Sequence, residues 1–289
     1  MNTQRTRLVA LMTLMLSLLA CYAALTGLLD KRLYSDLHTA GTLSDFLLAG
    51  SLAQDIITVP MSIILVILSL VMLRQPGHKL LITILGLNAF FFYGYGLYTI
   101  QGQYTSIYLV YLAIFGLSTY SLILGLTSIR GQALEGYSLP RGAAIAISLF
   151  LLSILLVLVP VWLLRIAPDI ARHTAGETYG VFILDLALVF PALAFTAAKL
   201  LARKPIGYLL AGIALFKVLT VCLSVAFGEW FVAFYGGFQP NIGNLAIFTT
   251  LTLVGLLLLV LYSRKLQVPQ EDRLVPGSGQ VIDVFGEGR

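Results

Sequence analysis

Three ionisable side chains stand inside long apolar stretches of the 289-residue chain: Asp55, Asp185 and Lys217. A charge at the centre of a membrane helix costs at least ~2.5–3.5 kcal/mol on insertion scales, so each must face the protein interior and meet a partner there. At ~1.5 Å per residue, Asp185 lies about 9 Å from one end of its stretch and Lys217 about 17 Å from the far end of the next. In a ~30 Å hydrocarbon core these depths nearly match, and consecutive antiparallel helices would bring the two together as an ion pair. Asp55 has no such cation. Lys217 follows Asp185 by 32 residues, whereas the corresponding place after Asp55 holds Leu87 and Asn88. Asn88 can hydrogen-bond Asp55 without neutralising it, and an uncompensated buried carboxyl is a place where a proton binds. Asp55, Asn88, Asp185 and Lys217 are therefore the expected transport residues.

A second set flanks the apolar stretches. Asp36 and His38 precede the second stretch; Asp169, His173 and Glu177, spaced four apart, precede the sixth and would share a helix face if that loop is helical. Imidazole beside carboxylate suits zinc binding or pH sensing, although polar residues at a membrane surface are ordinarily just solvated. His38, His173, Asp169 and Glu177 are thus the outer-face candidates, with no metal and no cofactor expected. The chain has no CxxC, HExxH, Walker loop or GxSxG elbow, so an enzyme is the less expected reading. A third feature is aromatic. Phe90, Phe91, Phe92, Tyr93, Tyr95 and Tyr98 are followed by Tyr104, Tyr108, Tyr111 and Phe115 at helical spacing, which reads as an interfacial belt or, less simply, a stacking pocket.

The elements that must position these residues follow from composition. Hydrophobic residues make up 59% of the chain and charged ones 11%, too little polar surface for a soluble body and no basis for nucleic-acid binding. Eight stretches reach spanning length, at about 8–29, 45–73, 80–100, 104–129, 143–164, 179–201, 206–227 and 243–262. They are separated by turn chemistry such as Arg74-Gln75-Pro76-Gly77, Ala167-Pro168-Asp169 and Arg203-Lys204-Pro205. If the N-terminus is cytoplasmic, thirteen Lys and Arg fall on the inside, and only Lys31, Arg32, Arg165 and Arg172 fall outside; the positive-inside rule then selects N-in and C-in. Leu18-Leu19-Ala20-Cys21 loosely resembles a lipoprotein processing site, but the apolar run continues to Leu29 and reads as an uncleaved span. Cys21 and Cys222 both lie in apolar runs, which excludes a disulfide framework.

One tetrapeptide recurs. His38-Thr39-Ala40-Gly41 follows the first stretch and His173-Thr174-Ala175-Gly176 the fifth, both reading as helix-entry turns with Thr capping and Gly releasing the backbone. Each precedes a glycine with an aspartate five residues on (Gly50 and Asp55, Gly180 and Asp185), then a proline (Pro60, Pro191), then a basic turn. There Arg74, Pro76 and Gly77 answer Arg203, Pro205 and Gly207, and both glycines lie 22 residues after their aspartate. Recurrence in the same order marks a four-plus-four duplication; four is even, so the halves are parallel, related by an axis along the membrane normal. The expected units are 1–135, 136–264 and a flexible cytoplasmic tail at 265–289, in which Leu274 to Ser278 looks like a protease-site scar without its arginine.

The Gly180 to Asp185 stretch and the run from Arg203 to Lys217 resemble segments of uncharacterised prokaryotic multi-pass membrane proteins, a resemblance that extends over much of the chain and implies no activity. Lys217 falls in a seventh span, where retinal proteins carry their Schiff-base lysine, but the residues around it match no such pattern. The expectation is an all-α integral membrane protein of the cell membrane, a small-solute or ion permease able to couple to protons through its intramembrane carboxylates. Its partners are membrane lipid and a small solute or ion. The alternatives are a sensor or enzyme with an outer-face His and acid ligand site, and a structural or assembly subunit.

Overall fold

In the computed structural model, residues 2–129, 131–237 and 239–269 are described, with backbone only for Gln132 and Gly236. The expected tail beyond residue 269, Leu274 to Ser278 included, lies outside the described residues. The chain runs α1 (Thr3–Leu29), α2 (Arg32–Thr39), α3 (Asp45–Arg74), α4 (His78–Ile100), α5 (Tyr108–Thr127), α6 (Gly131–Glu135) and α7 (Arg141–Arg172). It continues through α8 (Tyr179–Leu184), a π-helical turn at Asp185–Val189, α9 (Phe190–Leu201), α10 (Pro205–Gly236) and α11 (Ile242–Lys265). With α8, the π turn and α9 taken as one span, eight helices are long and apolar enough to cross a bilayer. No strand occurs among the described residues. The protein is a multi-pass integral membrane protein, because only intrahelical bonding satisfies every backbone polar group of such apolar segments in lipid.

Two spans outrun the sequence reading. α7 was expected to stop near 164 and to turn at Ala167-Pro168-Asp169, yet it continues through Pro160 and Pro168 to Arg172. At ~1.5 Å per residue its 32 residues reach about 48 Å. That length exceeds a ~30 Å hydrocarbon core, so a turn as close to the end as Pro168 has room to lie in water, which can bond a carbonyl freed by proline. α10 likewise continues past 227 and stops at Gly237, whose positive φ of 67° ends the helix.

The His-Thr-Ala-Gly copies are helix exits, not the entry turns expected from sequence. Leu37 accepts from the Thr42 amide at 3.0 Å after Gly41 turns left-handed, and Asp169 accepts from the Thr174 amide at 3.1 Å after His173 does so (φ 55°). Both are six-to-one closures of a helix C-terminus. The left-handed residue is the fourth of the tetrapeptide in one copy and the first in the other.

Contacts define two ends. At the end that holds the N-terminus, Arg5 donates to the Thr127 carbonyl at 3.0 Å and Lys79 to the Ser263 carbonyl at 2.9 Å, while Ser138 and Gln267 exchange two backbone bonds. At the other, loop-rich end, Gln101 donates to the Glu177 carbonyl at 3.1 Å and Tyr179 to the Ile100 carbonyl at 2.7 Å. In the first four spans α1 packs on α3 and α5, and α4 on α5 and α3; in the last four α7 packs on α9 and α11, and α10 on α11 and α9. α10 also seats against α3 and α4, and α4 against α8. Close approach there depends on missing side chains: a Cβ on Gly86 would overlap Phe216, and one on Gly212 would overlap Ile82 and Tyr262. Each set of four has its own apolar core, one around Leu16, Leu85 and Phe91, the other around Ile147, Leu200 and Leu215.

Candidate functional site

Asp185 and Lys217 are brought to one cavity, but not to each other. The Asp185 carboxylate, buried at 6% exposure, accepts a hydrogen bond from the Trp162 indole nitrogen of α7 at 2.7 Å. Lys217, on α10, holds its ammonium 4.3 Å from the centre of the Tyr93 ring of α4. Among the described residues ion pairs form at His38–Asp45 and Arg172–Asp169 and not between Asp185 and Lys217, which corrects the expected pair. Both line the same cavity, but Tyr93 lies against both: its ring meets the ammonium and its hydroxyl interacts with Asp185. A cation over an aromatic face is held without a counter-anion.

The cavity, of about 250 Å³, is lined by Trp162, Arg165, Phe182, Asp185, Phe190 and Lys217, with Cys222, Glu229 and Asn244 beside them. Lys217 lies deep among the helices yet keeps accessible surface, because its side chain faces this space rather than packed neighbours. Arg165 stacks 5.3 Å above Trp162, and Glu229 accepts from Asn244 at 2.8 Å. A second cavity of about 260 Å³ shares Phe46, Tyr93, Leu97, Thr178 and Glu229 with the first and adds Gln54, Gly94 and Ser224. A third, of about 540 Å³ at the loop-rich end, shares Leu47, Gln101 and Gln103 with the second. Three neighbouring spaces with common walls thus lie between the loop-rich end and Asp185 and Lys217, the innermost lined mainly by the last four spans, with Phe46, Tyr93 and Leu97 from the first four.

Asp55 belongs elsewhere. At 2% exposure it lines none of these three cavities, and its carboxylate accepts from the Tyr34 hydroxyl at 2.7 Å. Tyr34 comes from α2, a short helix lying on the loop-rich end whose Leu33 and Tyr34, with Leu43 from the turn after it, pack against Leu47, Leu48 and Leu52. Burial, reinforced by Tyr98, Asp55 and Tyr111, pushes the Tyr34 hydroxyl well above its ordinary value, so it stays a donor at neutral pH. Gly27 completes the socket, since a Cβ there would overlap the Asp55 carboxylate.

Asn88, expected to face Asp55, points to α1 and α5 instead. Its amide nitrogen donates to Thr13 at 2.9 Å and Ser121 at 2.7 Å, and those hydroxyls lie 3.0 Å apart. The four intramembrane candidates therefore occupy three separate places: a pinned carboxyl, a hydroxyl–amide clasp and a charged cavity.

The outer-face candidates also divide. His38 pairs with Asp45 at 2.8 Å and Glu177 accepts from Ser44 at 3.3 Å; both line the third cavity. Asp169 instead pairs with Arg172 at 2.9 Å, with Gly176 folded against its carboxylate, and His173 caps α7. The shared helix face expected for Asp169, His173 and Glu177 does not form, because α7 ends at Arg172 before two of the three. No cluster of three or more His, Cys, Asp or Glu able to hold a metal occurs among the described residues.

Most of the aromatic run is core: Phe90, Phe91, Tyr93, Tyr95, Tyr98 and Tyr111 are buried, and Tyr98 meets Tyr111 at 5.2 Å between ring centres, whereas Phe92, Tyr108 and Phe115 are half-buried and Tyr104 is exposed. Trp230, Phe234 and Tyr235 are exposed on α10, with Trp230 and Phe234 stacked at 5.5 Å. Residues that sequence reasoning passed over are Tyr34, Trp162 and Gly27. A weak signal was present, since each buried aspartate takes its bond from an aromatic residue 21 or 23 positions earlier. No protein-family model, no curated protein and no solved structure matches the chain.

Proposed function

We propose that the protein is a small-solute permease of the cell membrane whose solute site is the cavity at Asp185 and Lys217. The observation that carries this reading is the set of adjacent cavities with shared walls, one at the loop-rich end and one holding two ionisable side chains deep inside the bundle. A structural subunit has no use for a charged interior space, whereas a solute pathway is where such residues are kept. Parallel halves related by an axis along the membrane normal fit the matching neighbour order within each set of four spans, and the first half contributes Phe46, Tyr93 and Leu97 to a site held mainly by the second. The basic residues gathered at the N-terminal end favour N-in and C-in, with the cavities opening outward. Asp55, away from the cavities and bonded to Tyr34, acts in this reading as the anchor of α2 rather than as a solute ligand.

Cys222 lines the site and is one of only two cysteines, so a Cys21→Ala protein carries a native reporter there. Membrane-impermeant methanethiosulfonate reagents should modify Cys222 in right-side-out vesicles and, because a permease exposes its site alternately, in inverted vesicles as well. Reaction from the loop-rich face alone would refute transport and leave a receptor. Reaction from neither face would remove the proposed pathway.

A further inference from the structure

The solute chemistry can be taken one step further, resting on the reading above. We infer that the Asp185–Lys217 cavity binds a zwitterion, a small molecule carrying a carboxylate and an ammonium on one apolar body. Opposite charges this close in an apolar interior would ordinarily collapse into an ion pair, since pairing offsets the cost of removing each from water. Here each is held apart by an aromatic neighbour: Trp162 donates to Asp185, and the Tyr93 face takes Lys217. Beyond the bond from Trp162 and the nearby Tyr93 hydroxyl the carboxylate keeps acceptor capacity, and the ammonium has three donors with no counter-anion in ion-pair contact. Both face the same space.

A solute with one charge would satisfy one of these groups and leave the other desolvated and unmatched. A purely apolar solute would strand both. Only a molecule bearing both charges meets both demands, its carboxylate at Lys217 and its ammonium at Asp185. The remaining charged side chains of the lining, Arg165 and Glu229, are again one of each sign, so the space is neutral as a whole but strongly dipolar. Its other walls, Phe182, Phe190, Val218 and Val221, suit an aliphatic or aromatic body. At ~30 Å³ per water, about 250 Å³ is the room of roughly eight waters, enough for a small α-amino acid.

Three isosteric probes test this on the full-length protein in nanodiscs: L-leucine, with both charges; 4-methylpentanoate, with the carboxylate alone; and 3-methylbutylamine, with the ammonium alone. L-Leucine should bind, and each singly charged isostere should bind about tenfold more weakly or worse, the effect of one lost charge-assisted contact. Lys217→Met should bring L-leucine and 3-methylbutylamine to within about threefold, and Asp185→Asn should do the same for L-leucine and 4-methylpentanoate. Equal binding of the three, preference for a singly charged probe, or no L-leucine binding at about 10 mM would overturn the inference. Should either variant not fold, the wild-type comparison decides alone. In sealed proteoliposomes, uptake of a singly charged probe without preference for L-leucine would sink the zwitterion and keep the permease; preferred L-leucine binding without uptake would do the reverse.

Discussion

Tyr34→Phe is the sharpest test of what holds α2 on the bundle. The change removes one oxygen and leaves no void larger than that atom, so its effect isolates the 2.7 Å bond to Asp55. A hydrogen bond to a charged group contributes ~1.5–3 kcal/mol and one to a neutral partner ~0.5–1.5 kcal/mol. An eight-residue helix has no stability of its own in water, so α2 depends on such anchors and on the Leu33, Leu43 and Leu47 contacts. Loss of ~1.5 kcal/mol should raise the local opening constant about tenfold. Hydrogen exchange followed by mass spectrometry should show faster exchange of the residue 32–39 amides with α4 and α5 unchanged. Alkaline pH gives a second readout. Tyr34 is shifted above 10.0 in the folded state, so its contribution is complete below about pH 10, where the unfolded side chain is still protonated, and is lost as pH climbs towards the folded value. The thermal-stability advantage of wild type over Tyr34→Phe should therefore be flat below about pH 10 and shrink above it. A less than twofold change in exchange at 32–39, or an advantage that first appears above pH 10, would refute the anchoring argument.

Two further outcomes are expected. Asn88→Leu should cost less than ~1 kcal/mol in detergent unfolding, because Thr13 and Ser121 keep their own 3.0 Å bond, and should leave probe binding intact, since Asn88 lies outside the cavities; lost binding would restore it to the solute site. In a protein without Cys21 and Cys222, Glu135→Cys should need permeabilised cells for labelling while Ala171→Cys labels from outside; the opposite pattern would reverse the proposed orientation.

Architecture was largely legible in the sequence because lipid leaves a chain few choices: a run of some twenty apolar residues bounded by Pro, Gly and charge becomes a spanning helix. The span from Tyr179 to Leu201 was read with both ends in place. What misled were prolines. Pro168 reads as a stop, but a stop is enforced only where the freed carbonyl lacks a partner, and beyond the hydrocarbon it has water. The site was half legible. Depth along a helix follows from counting, so Asp185 and Lys217 were placed at a common level; azimuth does not, because it depends on how each helix is turned about its axis by packing at residues such as Gly86 and Gly212. That is why Asn88 was assigned to Asp55 and instead meets Thr13, and why Trp162, an unremarked residue of an apolar run, proved to be the partner of Asp185. The π turn at Asp185–Val189 was also invisible to a reading by ordinary helical period. It begins at Asp185 itself and ends just before Pro191, a proline whose missing amide N–H an ordinary helical turn would need.

Lys79 caps the carboxyl end of α11, a helix whose receiving carbonyl, Ser263, is made 184 residues after it. At ~5–20 residues per second of synthesis, that interval is about 9–37 s. For this time the ammonium waits at the membrane surface without the group it will bind, while the four spans between α4 and α11 are inserted. The contact between α4 and α11 is therefore a late event in the life of the chain, a clasp fastened only once the final helix arrives. A ribosome stalled anywhere before residue 263 leaves a bundle still open along that seam.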